Sequence, residues 1–86
     1  MTRHSPSAID GLDVNEVKDG LIVYDQARDR VHYLNATAGI VFTLCDGQHT
    51  ESQIANVVAI AFQLDAPPLT EVDSCLASFV NEGLLR

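Results

Sequence analysis

Eighty-six residues, 47% of them apolar but with three Phe, two Tyr and no Trp, suffice for one small core of Val, Ile, Leu and Ala, so neither a second domain nor a deep enclosed active site is expected. Twelve acidic against five basic residues give a formal charge of −7, with Arg3, Lys18, Arg28, Arg30 and Arg86 scattered along the chain. A duplex needs several cations on one face to replace its counterions, so no nucleic-acid partner is expected, whereas a partner with basic patches is favoured. No run approaches the roughly 20 apolar residues that span a membrane, and the start, Met1 to Ala8, lacks the apolar centre of a signal peptide, so a cytoplasmic protein with no membrane partner is expected.

Residues 1–11, with Ser5, Pro6, Ser7 and Gly11, keep no sustained period and read as a flexible tail ahead of a domain over residues 12–86. Leu12 to Val17 then alternates apolar and polar, Asp19 and Gly20 supply a short turn, and Leu21 to Tyr24 is a β-branched and aromatic run; together they predict a hairpin. A polar link, Asp25 to Asp29, leads to a third strand over Arg30 to Leu34. Paired in sequence order, the second strand is central and the third is an edge, with N–H and C=O groups unpaired along one side. Alternation sets Val31 and Tyr33 on one face of this strand and Arg30, His32 and Leu34 on the other, without saying which face is buried.

Asn35 is a natural N-cap, after which Ile40, Val41, Leu44 and Cys45 recur at helical spacing until Gly47, whose left-handed turn would end the first helix. Thr50 with Gln53 predicts a capping box for a second, and Ile54, Val57, Val58, Ala61, Phe62 and Leu64 form its apolar stripe until Pro67 and Pro68 bar extension. Thr70 is read as the cap of a third helix, Glu71 to Glu82, with Asp73 near the positive end of its dipole and Val72, Cys75, Leu76, Phe79 and Val80 as its apolar face. Gly83 stops it, and Leu84, Leu85 and Arg86 are apolar enough to pack back. Strands followed by helices predict an α+β domain: a three-stranded antiparallel sheet, then three helices on one side of it.

Catalytic chemistry has little to stand on. His4, His32 and His49 stand apart, with no H-x-x-x-H pair or acidic partner at fixed spacing, so no metal is expected. His32, on the edge strand, is placed to touch a ligand and tune its affinity near neutral pH. There is no G-x-S-x-G elbow and no glycine-rich phosphate loop, so neither catalytic residues nor a cofactor are expected. Asp25, Asp29 and Asp46 read as turn carboxylates that accept nearby backbone N–H groups, and Cys45 and Cys75 as buried reduced thiols.

The run Arg30-Val31-His32-Tyr33-Leu34-Asn35, followed by Ala36-Thr37-Ala38, Leu44-Cys45-Asp46-Gly47, the helix opening at Thr50 and the terminal Asn81 to Leu85, resembles the PqqD-like family, the recognition elements of ribosomally made, post-translationally modified peptide (RiPP) pathways. Ala36 stands where many members carry proline after the asparagine. The resemblance implies a winged-helix arrangement and a non-catalytic peptide chaperone that binds the leader of a precursor against the third strand and third helix. Carried onto this chain, the peptide-binding positions are Arg30, Val31, His32, Tyr33 and Leu34, with Val72, Cys75, Leu76 and Phe79 as an apolar wall, although Val72, Leu76 and Phe79 are equally fitted to pack the helix on the sheet. The partner enzyme would be a radical SAM protein, as in PQQ biosynthesis, or a leader peptidase, as in lasso-peptide pathways.

Two other readings use the same elements. A winged-helix DNA reader needs Arg, Lys, Asn or Gln aimed at bases, and Glu71 to Glu82 holds no Lys or Arg. A scaffold or regulatory subunit that docks an enzyme without binding peptide is not separated from leader capture by the residues alone. Both a monomer and a homodimer are open, because an exposed third strand can also pair with its own copy.

Overall fold

The computed structural model describes residues 5–86; residues 1–4, with Arg3 and His4 and the start of the expected tail, lie outside the described residues. Strands β1 (Leu12–Val17), β2 (Gly20–Asp25) and β3 (Arg30–Asn35) precede helices α1 (Ala36–Thr43), α2 (Glu51–Phe62) and α3 (Leu69–Asn81). The sheet is antiparallel in the order β1-β2-β3, so the fold is the expected α+β arrangement with β3 at an edge. Lys18 and Asp19 form a two-residue turn closed by the pair Val17 and Gly20. The β2–β3 turn is closed by Asp25 and Arg30, and there Asp29 takes a left-handed φ of 53° while its carboxylate accepts the Tyr24 hydroxyl at 2.9 Å. That bond raises the Tyr24 pKa, because the phenol loses a donor when it ionises.

One face of the sheet meets the helices. Leu21 opposite Leu34, and Val23 opposite His32, turn inward, and α1 lies across β2 and β3. Helices α2 and α3 pack on α1 and on each other, closing a core of Val23, Leu34, Val41, Phe42, Ile54, Val58, Val72, Leu76, Phe79 and Leu84. Phe42 and Phe79 meet edge to face with centroids 5.5 Å apart, the arrangement that sets a ring's positive edge on the other's negative face.

The caps position these helices, and two differ from expectation. Asn35 accepts the Ala38 N–H at 2.9 Å as expected, but α1 ends at Thr43 and not at Gly47. The Leu44 N–H is shared between the Ile40 and Val41 carbonyls and Cys45 bonds back only three residues, so the helix tightens and stops. This leaves the Cys45 carbonyl and the Gly47 N–H for Ala8 and Pro6, at 2.8 and 3.0 Å. Residues 6–9, read as tail, are therefore pinned: Ile9 donates to Leu84, and Arg86 donates to Ser7. Backbone pairing with two other segments supplies the order that the residues themselves do not encode.

The capping box of Thr50 and Gln53 is present in full. In α3, by contrast, the N-cap is Pro68: its carbonyl accepts the Val72 N–H at 3.0 Å, which starts the helix two residues before Glu71 and places Thr70 inside the first turn without a side-chain cap. At the far end Leu84 N–H bonds the Phe79 carbonyl and Gly83 N–H that of Val80, a Schellman turn with Gly83 at φ 75°. It turns Leu84 into the core, where Phe79 also lies.

Candidate functional site

The open edge of β3 can be resolved residue by residue. In an antiparallel ladder each residue points both its N–H and its C=O to one side, and successive residues alternate. A two-residue turn closes on a hydrogen-bonded pair, here Val17 and Gly20, so Gly20, Ile22 and Tyr24 bond to β1 while Leu21, Val23 and Asp25 bond to β3. The partners of the latter three are Leu34, His32 and Arg30. A side chain on Gly20 would collide with the Leu34 carbonyl oxygen, which confirms that this carbonyl points at β2. Val31 and Tyr33 are left to direct their backbone donors and acceptors away from the sheet.

Their side chains are exposed, Val31 at 65% and Tyr33 at 60%, on the sheet face turned away from the helices, where the Tyr33 hydroxyl donates to the Asp19 carbonyl at 3.3 Å. The inward set of the same strand is Arg30, His32 and Leu34, of which Leu34 is buried in the core. The five β3 residues singled out from the sequence thus divide by function: Leu34 holds the strand down, Val31 and Tyr33 carry the open backbone, and Arg30 and His32 face α3.

Helix α3 separates the two roles open to its apolar residues. Val72, Leu76 and Phe79, expected to wall a groove, are fully buried and pack the core. Only Cys75 among the four is partly exposed, and burial first, then the Glu71 carboxylate, raise its thiol pKa and keep it protonated. Helical spacing sets Glu71, Cys75, Ser78 and Glu82 in one stripe, and its C-terminal end reaches β3. Glu82 Oε1 lies 2.7 Å from Arg30 Nη2 and 3.9 Å from His32 Nδ1, and the Glu82 carbonyl accepts from Arg28 Nη1 at 3.3 Å. The Arg30–Glu82 pair is half exposed, so water screens it and it contributes about 1 kcal/mol at most. His32 Nε2 is buried, with no hydrogen-bond partner among the described residues. Glu82 was missed from the sequence because a contact spanning 52 residues leaves no local signal.

The turn carboxylates behave largely as expected. Asp25 accepts the Arg28 N–H at 3.3 Å and Asp46 the Gln48 N–H at 2.8 Å, while Asp29 takes the Tyr24 hydroxyl instead. Among the described residues no group of His, Cys, Asp or Glu is arranged to hold a metal, and no helix is long and apolar enough to cross a membrane.

The family model described as coenzyme PQQ synthesis protein D (PqqD) matches residues 20–85, from the start of β2 through the Schellman turn and the buried Leu84. No curated protein and no solved structure matches the chain. The family is that of the RiPP recognition elements, non-catalytic accessory proteins that bind peptides and are associated with PQQ biosynthesis. With a match over most of its length, and with the edge strand and three helices in place, the chain belongs to the PqqD family.

Proposed function

We propose that this protein captures the leader of a ribosomally made precursor as a fourth strand on β3 and presents the remainder to a modifying enzyme, a radical SAM protein or a leader peptidase. The observation that carries this reading is the pair Val31 and Tyr33, whose outward backbone groups and exposed side chains form an unprotected edge. Main-chain pairing accepts many sequences; selectivity then comes from the side chains beside the edge, Arg30 and His32 on the strand and Glu82, which meets them from the end of α3, with Cys75 the partly exposed position further along that helix. Holding the leader raises the local concentration of the attached core peptide at the enzyme to about millimolar without any chemistry by the carrier.

The test separates edge pairing from folding by alternation. Proline at Tyr33 removes an outward N–H and leaves the β2–β3 ladder intact, whereas proline at His32 interrupts that ladder. Synthetic leader segments from short reading frames beside the gene, titrated into ¹⁵N-labelled protein, are expected to shift residues 30–35 and the stripe from Glu71 to Glu82. Tyr33→Pro is expected to weaken binding by about tenfold or more, the loss of one or more ladder bonds, with helical circular dichroism unchanged. A folded Tyr33→Pro protein with undiminished affinity for a peptide that binds the parent would overturn strand addition.

A further inference from the structure

A strand laid beside β3 meets two different surfaces, because its side chains alternate between the two faces of the sheet. On the face turned away from the helices, two rows of side chains run toward the edge: Tyr24 is paired with Val31, and Ile22 with Tyr33. Tyr24 and Ile22 are half-buried, whereas Val31 and Tyr33, the last members of their rows, are exposed. The helix-facing side is charged. Glu82 Oε1 accepts Arg30 Nη2 at 2.7 Å, but His32 Nδ1 at 3.9 Å is too far for a hydrogen bond, and the Glu82 side chain is 39% exposed. A carboxylate has room for several donors, so Glu82 can take another beside Arg30.

We propose, resting on the reading that β3 takes up a fourth strand, that the captured segment carries a lysine or arginine between two apolar residues. The apolar pair lies in register with Val31 and Tyr33 and extends their rows by cross-strand contact. The residue between them lies in register with His32 and points to the helix side, where its cation meets Glu82. The reach is sufficient: paired strands lie about 4.8 Å apart, and the long stem of a lysine or arginine bridges from there to a carboxylate 3.9 Å from His32. The sign of the charge follows from what is already engaged. Arg28 lies 3.8 Å from the Asp25 carboxylate and donates to the Glu82 carbonyl, and Arg30 is paired with the Glu82 carboxylate. An acidic residue opposite His32 would therefore have to displace Glu82 from Arg30, on a chain of charge −7 that repels it at a distance; a basic residue is drawn in by that charge and displaces nothing.

Short capped peptides of alternating threonine and valine, the central threonine replaced by lysine in one and by glutamate in the other, test this by titration into ¹⁵N-labelled protein. The lysine peptide is expected to shift the amides of residues 31–33, and the glutamate peptide to bind about tenfold more weakly, a preference that narrows as salt rises. Exchanging the two valines beside the lysine for serine is expected to cost about tenfold as well, by uncovering Val31 and Tyr33. Glu82→Gln keeps the backbone carbonyl that takes Arg28, so helical circular dichroism is expected to be unchanged while most of the lysine advantage is lost. Equal affinity for the two peptides, or a lysine preference that survives in Glu82→Gln, overturns the assignment and leaves strand capture standing. Absence of shifts at residues 31–33 with the lysine peptide also overturns it, and the leader segments with Tyr33→Pro then judge strand capture by themselves. Shifts at those amides produced by raising the protein concentration alone would give the edge to a second copy instead.

Discussion

Helices α2 and α3 are nearly equal in length, lie side by side on α1, and carry apolar residues at the same spacing, yet they expose different things. In α3 the buried row Val72, Leu76 and Phe79 is flanked by Glu71, Asp73 and Ser74, and its exposed large apolar residues are Leu69 and Val80 near its ends. In α2 the buried row Ile54, Ala55 and Val58 is accompanied by exposed Val57, Ile60 and Phe62, with exposed Leu64 just past the left-handed Gln63 that ends the helix. A stripe of correct period shows that a residue type suits burial; it does not show what does the burying. Apolar residues in excess of what the core touches are the part that remains available for a partner.

The sharpest way to break this contrast is to truncate one residue in each row. Leu76→Ala removes a fully buried side chain from the centre of the core and is expected to cost about 2–5 kcal/mol, transfer and cavity together. Ile60→Ala, measured by urea unfolding at low protein concentration, is expected to stay within about 0.5 kcal/mol of the parent. Comparable losses at the two sites would show that α2 is covered on both sides even in the dilute protein, and the distinction between the helices would fall.

The helix starts offer a smaller test. Thr50 accepts the Gln53 N–H while the Gln53 side chain returns a bond to the Thr50 N–H, so Thr50→Ala is expected to cost about 1 kcal/mol. Thr70 stands inside the first turn of α3 and caps nothing through its side chain, so Thr70→Ala is expected to be neutral or slightly stabilising, within about 0.5 kcal/mol, because alanine is the better helix former. Equal losses in denaturant midpoint for the two threonines would show that Thr70 supports the helix in some other way.

These two threonines also mark where local sequence stops being informative. Strand order, the two-residue turn, the Asn35 cap and the Thr50–Gln53 box follow from neighbours within four residues, and each is legible. The end of α1 is not, because Leu44 and Cys45 fit a helix and leave it only where Pro6 and Ala8 arrive to take the freed backbone groups. The same limit governs the site. Alternation divided β3 into two faces, but assigning them required the packing of Leu34 under α1, and the open edge required the turn geometry at Gly20. Along α3 the apolar positions suit a groove wall and a core alike, and packing puts Val72, Leu76 and Phe79 in the core; the side chain that reaches β3 is that of Glu82, which no hydrophobic pattern picks out.

The loop that leads into α2 carries the smallest of these effects, and it has a sign. Asp46 Oδ1 lies 2.9 Å from His49 Nδ1 and accepts the Gln48 N–H, and these contacts, the His49 bond foremost, hold the carboxyl below its ordinary pKa. A carboxyl with a lowered pKa in the folded state adds stability that is complete above the unfolded value, about 3.9, and is lost as the pH falls through the folded one. Asp46→Asn keeps an oxygen for the Gln48 N–H but removes the charge beside His49. Its urea midpoint is therefore expected to lie slightly below that of the parent at pH 6 and to converge on it in acid, as the parent's carboxyl takes up its proton. Helix α3, which begins on the Pro68 carbonyl, has no such carboxylate-to-histidine turn ahead of it, so this acid sensitivity belongs to the entry of α2. A gap between Asp46→Asn and the parent that stays constant as the pH falls from 6 into the acid unfolding range would mean that Asp46 holds the turn by shape and not by charge.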